Sequence, residues 1–228
     1  MSYTFDWAPI WDHRAQLAEG LLTTIALSAA GLAGALLLGI PIGLAGAARR
    51  KPLRALAVAY VEGARNVPLL LHIYIWFLGL AALDLPAFLC ATLGLSIYSG
   101  AYVAEIVRAG LLAVPPGQAE AARALGLGPW STLRRVTGPQ ALRIMAPSLA
   151  SLVSQLVKDS SLASVVAVGE LAYQAGAIEA DTFRSVEVYA VTWVLYFALV
   201  TLLSQAVLRL GPRAPTLRTQ LLPGLADA

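Results

Sequence analysis

From Leu21 to Ala48 the chain carries no charged residue, a run longer than the roughly 20 residues an α-helix needs to cross the hydrocarbon core of a bilayer. In lipid such a segment must satisfy its own backbone hydrogen bonds, which restricts it to a helix. Four further apolar stretches follow. Leu53 to Ala82 is interrupted by Glu62, Arg65 and His72, and Pro86 to Ala104 is uncharged and continues to Glu105 and Arg108. Ile144 to Val168 is apolar apart from Lys158-Asp159 and scattered serines, and Val188 to Leu208 runs clean to Arg209. The expectation is an all-α membrane protein with about five transmembrane helices. Composition agrees: 58% of residues are apolar and 13% charged, with a mean hydropathy of +0.72. A soluble domain of 228 residues needs more charge to cover its surface. The single cysteine, Cys90, excludes an internal disulfide and any cysteine-based metal site. His13 and His72 have no partner at ligand spacing, so no metal site is expected.

Sidedness follows from the basic residues. Of 16 Lys and Arg, twelve fall on one predicted side: Arg49, Arg50, Lys51, Arg54, Arg108, Arg123, Arg134, Arg135, Arg143, Arg209, Arg213 and Arg218. Arg14 and Arg184 fall on the other, where Asp6, Asp12, Glu19, Asp84, Glu170, Glu179, Asp181 and Glu187 gather. The N-terminus is therefore placed outside and the C-terminus inside. The formal charge of +3 belongs to this asymmetry and does not imply a nucleic-acid partner. No basic segment precedes the first apolar run, so no cleavable signal peptide is expected. Tyr3, Phe5, Trp7 and Trp11 fit an interfacial aromatic belt.

Within the first span, Gly39-x-x-x-Gly43 has the small-residue spacing that lets helices approach closely. Packing within one subunit is the favoured reading and a dimer contact the lesser one. Pro41 removes one backbone hydrogen bond and should bend the span.

The inside segment between the third and fourth spans, about 35 residues, is far longer than a connection requires. Gln118 to Leu125 is rich in helix formers and ends at Gly126, a residue suited to a helix C-terminus. Trp130 to Val136 offers a second short helix, closed by Gly138-Pro139. Two short helices joined by a glycine on the cytoplasmic face make a projection, or else a helical loop lying on lipid.

This segment resembles the cytoplasmic loop of membrane subunits in ABC importers, marked by Glu-Ala-Ala, three residues, Gly, nine residues, and Ile-x-Leu-Pro. Here the pattern stands as Glu120-Ala121-Ala122, Gly126 and Val136-Thr137-Gly138-Pro139. Gly138 replaces the leucine. Flanking matches are Arg65-Asn66-Val67-Pro68-Leu69-Leu70, Ser99 through Ile106, Val114-Pro115-Pro116-Gly117-Gln118, Pro139 through Arg143, and Lys158-Asp159-Ser160-Ser161-Leu162. Together they are similar to the polar amino acid subfamily (histidine-, glutamine-, glutamate- and arginine-type permeases) over roughly residues 17 to 210. At 66 to 67, Asn-Val stands where the family often has Gly-Thr or Asn-Thr.

The resemblance implies a type I ABC importer transmembrane-domain fold in a bacterial inner membrane, with a periplasmic N-terminus and a cytoplasmic C-terminus. Residues 1–20 would form a periplasmic or interfacial segment, 21–210 the permease domain with its coupling loop at 114–143, and 211–228 a cytoplasmic tail. Glu120, Ala121, Ala122, Gly126, Val136 and Pro139 would couple the chain to an ATPase dimer, which binds ATP and magnesium; this chain would bind no cofactor. The implied partners also include a second permease subunit, the same or homologous, and a periplasmic amino-acid-binding protein. The substrate would be a polar amino acid or a closely related compound, moved by alternating access.

Ionisable groups in a span cost at least about 2.5 kcal/mol each, so each needs a reason. Glu62 with Arg65 and Glu105 with Arg108 are spaced i,i+3 and are expected to form self-neutralising pairs on single helices. Arg65, Asn66 and Pro68 also suit a gate, because proline weakens the helix beside it. Lys158, Asp159, Ser160 and Ser161 lie near the middle of the fourth span. They offer both charge signs and hydroxyls to an amino acid in a translocation path, or else bond neighbouring helices. Tyr98 is a further candidate for the path, and His72 for a hydrogen bond between helices.

The sequence has no phosphate-binding Gly-x-x-x-x-Gly-Lys-Ser/Thr run and no protease or esterase signature, so ATP hydrolysis would fall to another polypeptide and the chain is not expected to be an enzyme. No repeated half is visible, which argues against an inverted-repeat carrier. An ion-coupled secondary amino acid carrier with Lys158-Asp159 as its ion site is the competing function, and a membrane scaffold is a third.

Overall fold

The structure, a computed structural model, describes residues 3–79 and 83–210. The predicted tail at 211–228, with Arg213 and Arg218, and the Ala82 end of the second span lie outside the described residues. All regular structure among the described residues is helical. In chain order come α1 (Ala8–Asp12), α2 (Arg14–Gly46), α3 (Lys51–Arg65), α4 (Leu69–Gly79) and α5 (Ala87–Leu112). Then follow α6 (Pro116–Ala124), α7 (Pro129–Thr132), a π-helical turn (Leu133–Thr137) and α8 (Gly138–Asp159). A 3-10 segment (Ser160–Val166), α9 (Leu171–Thr182) and α10 (Ser185–Leu210) complete the chain.

Helices α2, α5 and α10 are each long and apolar enough to span a membrane, and the rod from Pro129 to Val166 qualifies together with α9, bent from it by 50°. The second predicted span is not one helix. It divides into α3, of 15 residues, and α4, of 11, each short of a full crossing. Pro68 is the cause, since its ring disfavours helical backbone at Val67 and its nitrogen cannot donate. The backbone restarts from Pro68, whose carbonyl accepts from Leu71 and His72. His72 Nε2 lies 3.0 Å from the Ala64 carbonyl oxygen and ties the two halves together.

Between helices in lipid there is little hydrophobic driving force, so close packing must hold them. Parallel α2 and α5 achieve it through glycine. A Cβ at Gly39 would meet the Gly100 carbonyl oxygen and Val103 Cβ at 2.5 Å, and one at Gly43 would meet Val107 Cβ at 2.6 Å. The glycine spacing therefore serves packing within the chain, and α2 continues through Pro41.

The fourth span also differs from expectation. Lys158 and Asp159 stand at the C-terminal end of α8, not in mid-helix. There the helix tightens into the 3-10 segment, and the chain turns at Ala167, whose φ is 58°. Glu170 then opens α9: its fully buried carboxylate accepts from the Ala172 and Tyr173 nitrogens and from the Tyr196 hydroxyl. Such a cap satisfies amides that lipid would leave unpaired. At the outer end, Glu187 accepts from the Tyr3 hydroxyl and the Asp6 nitrogen, and Arg184 donates to the Thr4 carbonyl at 2.8 Å.

Candidate functional site

The predicted residues form two groups, one in the polar loop that leads into the helical rod from Pro129 to Val166 and one around α3, α5 and the end of α8. The first is the polar loop. Pro116 starts α6 in the first turn, where its missing N–H costs nothing. Gly126 ends it with φ +79°. The Gly126 nitrogen donates to Arg123 O and the Leu127 nitrogen to Ala122 O, the paired closure that a left-handed residue permits. Glu120 and Ala121 are exposed and Ala122 is buried, so the Glu-Ala-Ala run has one inward and two outward residues. Gln140 Nε2 donates to Gln118 Oε1 at 3.1 Å and to Val136 O at 3.0 Å, anchoring α6 to the start of α8.

Gly138-Pro139 does not close the second loop helix, contrary to the sequence reading. Pro139 lies in the first turn of α8, and the backbone runs helically from Pro129 to Val166. The π-helical turn absorbs the proline, and a Cβ at Gly138 would collide with the Leu133 carbonyl oxygen. That collision is a physical reason for a residue without a side chain at this position. Leu125 and Trp130, 83% and 69% exposed, flank the Gly126 turn. Sequence reasoning did not single them out as site residues, although large apolar residues in an otherwise polar loop are a usable signal.

The second group lies where α3, α4, α5 and the end of α8 converge. Here the expected intrahelical pairs are replaced. Arg65 forms its ion pair with Glu105 of α5, and its guanidinium lies 4.9 Å from the centre of the Tyr102 ring. Glu62 accepts instead from Asn66 Nδ2 at 3.2 Å. Glu105 and Arg108 line a small cleft with Glu62, Gly43 and Ala57, about 50 Å³ in volume. The i,i+3 spacing permitted the intrahelical pairs, but the facing helix supplied a carboxylate and a ring at once.

From Arg65 the polar chain continues. The Tyr102 and Tyr98 hydroxyls are 3.1 Å apart, and the Tyr98 ring lies 5.9 Å from His72. Tyr102 was missed as a site residue, although the i,i+4 repeat Tyr98–Tyr102 puts both rings on one face. Asp159 is half-buried and accepts from Gln155 Nε2 at 2.8 Å. Lys158 is exposed, and no ion pair joins it to Asp159 among the described residues. The serines serve the helix break: Ser160, fully buried, donates to Val157 O at 2.8 Å, and Ser161 to Lys158 O at 2.7 Å. The group offers a cation (Arg65) stacked on Tyr102 and, at the end of α8, an anion (Asp159), polarity suited to a zwitterion.

Comparison with known proteins finds relatives over most of the chain. Residues 20–214 match the family described as binding-protein-dependent transport system inner membrane component. The glutamine transport system permease protein of Escherichia coli (strain K12) is 37% identical over 213 residues, 92% of this chain and 97% of that protein. A Bacillus subtilis (strain 168) protein named as a probable glutamine ABC transporter permease is 36% identical over 200 residues, 87% of this chain and 93% of its own. Among solved structures, the crystal structure of an amino acid ABC transporter with histidines superposes with a TM-score of 0.81 at 33% identity, covering 90% of this chain and 97% of that one.

Proposed function

The chain belongs to the family of binding-protein-dependent transport system inner membrane components, and on that premise we propose a residue-level account of how it moves a polar amino acid. It is the membrane-spanning permease subunit of an ATP-binding-cassette importer, an inner-membrane component and not itself an enzyme. Importers of this family work with an ATPase and a binding protein. In our reading the ATPase is a dimer that holds ATP and magnesium, two permease chains share the path, and a periplasmic protein delivers the amino acid.

The observation that carries the account is the continuous helical rod from Pro129 to Val166. The coupling segment leads into its lower end, with Glu120, Ala121 and Gly126 shaping the surface presented to the ATPase, and with Leu125 and Trp130 as apolar anchors. The α8 portion, 22 residues long, rises roughly 33 Å to Asp159. Helical backbone continues through the π-helical turn and through Pro147, so displacement below is carried to the upper end. ATP binding draws the coupling segments together and tilts α8, shifting Asp159 relative to Tyr98 and Arg65. The amino acid's ammonium is then offered to Asp159 and its carboxylate to Arg65, while Pro68 supplies the weak point at which α4 swings against α3. Glutamine is the substrate named for the relatives, and a neutral polar amino acid suits a site with one charge of each sign.

The test is ATP-driven uptake of radiolabelled glutamine into proteoliposomes holding permease, ATPase and binding protein. Expected is uptake that stops without ATP and persists when ion gradients are collapsed. Uptake that follows a proton or sodium gradient without ATP would overturn the account in favour of an ion-coupled carrier.

A further inference from the structure

The outer part of the molecule holds a groove that neither the coupling segment nor the Arg65–Asp159 cluster uses. It has a volume of about 250 Å³ and runs between the first turns of α2 and the upper half of α10. Leu17, Leu21, Val191 and Leu195 form its walls, and Ile10 and Trp11 stand at its outer mouth. Its one charged lining residue is Arg14. That guanidinium is exposed and donates to the Trp11 carbonyl at 2.6 Å. No carboxylate pairs with it among the described residues.

The depth of the groove identifies what can enter it. Counted from Arg209 at about 1.5 Å per residue, Leu195 and Val191 stand roughly 21 and 27 Å up α10, inside a hydrocarbon core of roughly 30 Å. Val188 marks its outer edge, and Leu17 packs in the same cluster as Val188. Arg14, nearly one turn further out, lies at the level of the lipid headgroups, where a guanidinium on an apolar stem reaches phosphate. Leu22, Trp193 and Val194 beside the groove are exposed, an apolar surface continuous with lipid.

We propose that the groove is a phospholipid site of the outer leaflet. One acyl chain lies along Leu21 and Leu195, the phosphodiester accepts from Arg14, and the Trp11 indole borders the glycerol region. A bound lipid braces α1 and α2 against α10 at the end of the molecule farthest from the coupling segment. The proposal rests on the membrane placement alone and is independent of the transported substrate.

Native mass spectrometry of the permease–ATPase complex, delipidated and then titrated, tests it. The probes are dioleoylphosphatidylglycerol, dioleoylphosphatidylethanolamine and dioleoylglycerol. Both phospholipids should bind, with dioleoylglycerol roughly ten-fold or more weaker, the size of a hydrogen bond to a charged group. Arg14→Gln should lower phospholipid binding to the diacylglycerol level. Ala18→Trp, at an exposed position lining the groove, should remove all three. Retention of the ATPase by each variant reports that the chain is folded. Equal binding of the three probes by the native protein, or unchanged phospholipid retention in either variant, overturns the proposal, as does a second protein chain seated on the groove.

Discussion

Arg65 on α3 and Glu105 on α5 form an ion pair across the helix interface, and the guanidinium they share also covers the Tyr102 ring. Helices α3 and α5 are thus joined by one side chain making two kinds of contact. Arginine suits this position because its plane stacks while its edge donates, which a lysine ammonium cannot do together. The pair sits three residues before Pro68, so it holds the end of α3 at the point where the span breaks.

Replacing Arg65 with lysine should therefore keep the charge and lose the stacking. Both side chains are about one-third exposed, at 36% and 38%, so the pair contributes about 1 kcal/mol to stability rather than several. Transport should fall further than stability does. The expected outcome is a drop of roughly ten-fold or more in uptake for Arg65→Lys and Glu105→Gln, with a melting temperature within a few degrees of the parent. Parental uptake in both variants would remove the pair from the gate.

Asp159→Asn should weaken substrate-stimulated ATP hydrolysis and uptake while the complex stays assembled. The carboxylate is half-buried, with one donor from Gln155, so asparagine fits its volume and removes the charge offered to an ammonium. Steady-state uptake kinetics measured beside co-purification of the ATPase separate the two effects. Unchanged kinetics would take Asp159 out of the substrate path.

At the coupling segment, Leu125→Asp and Trp130→Ala should reduce ATPase co-purification, because both exposed side chains supply apolar contact area and neither supports the helix on which it stands. Gly126→Ala acts differently. Its φ of +79° costs alanine about 1 kcal/mol, so the loop loosens and coupling falls while some binding remains. A pull-down with the ATPase, scored against ATP hydrolysis per transported molecule, distinguishes lost docking from lost coupling.

Gly39→Val should destabilise the fold by about 1–3 kcal/mol, the usual cost of overpacking, because the new Cβ meets Gly100 O and Val103 Cβ at 2.5 Å. Gly63→Ala, with nothing within 4 Å of its added Cβ, is the control. Thermal unfolding in detergent should show a lowered midpoint for the first and an unchanged or raised one for the second. Equal midpoints would mean that α2 and α5 are not locked by their glycines.

The helical class and the apolar runs that become α2, α5, α8 and α10 were legible in the amino-acid order. Each depends on physics that acts locally or on one axis. A bilayer rejects unpaired backbone, so apolar runs become helices. Arg and Lys collect on the cytoplasmic side, and a glycine after a run of helix formers ends a helix at Gly126. The break between α3 and α4 was half visible, since Pro68 announced a weak point but not a separation into two elements.

What only the tertiary structure decided is which polar groups meet. Spacing of i,i+3 allows Glu62 to hold Arg65, yet the rotation of α3 against α5 gives Arg65 to Glu105 and Tyr102 instead. The same holds for the end of α8, where packing places Lys158 and Asp159 at a helix terminus and turns the serine hydroxyls onto carbonyls. Glu170 read as an outer acidic residue and is a buried cap, because its donors arrive from α9 and from Tyr196 on α10. A side chain reaches several ångströms in any direction, and its partner is set by whichever helix is packed within that reach, a property no single segment of the chain contains.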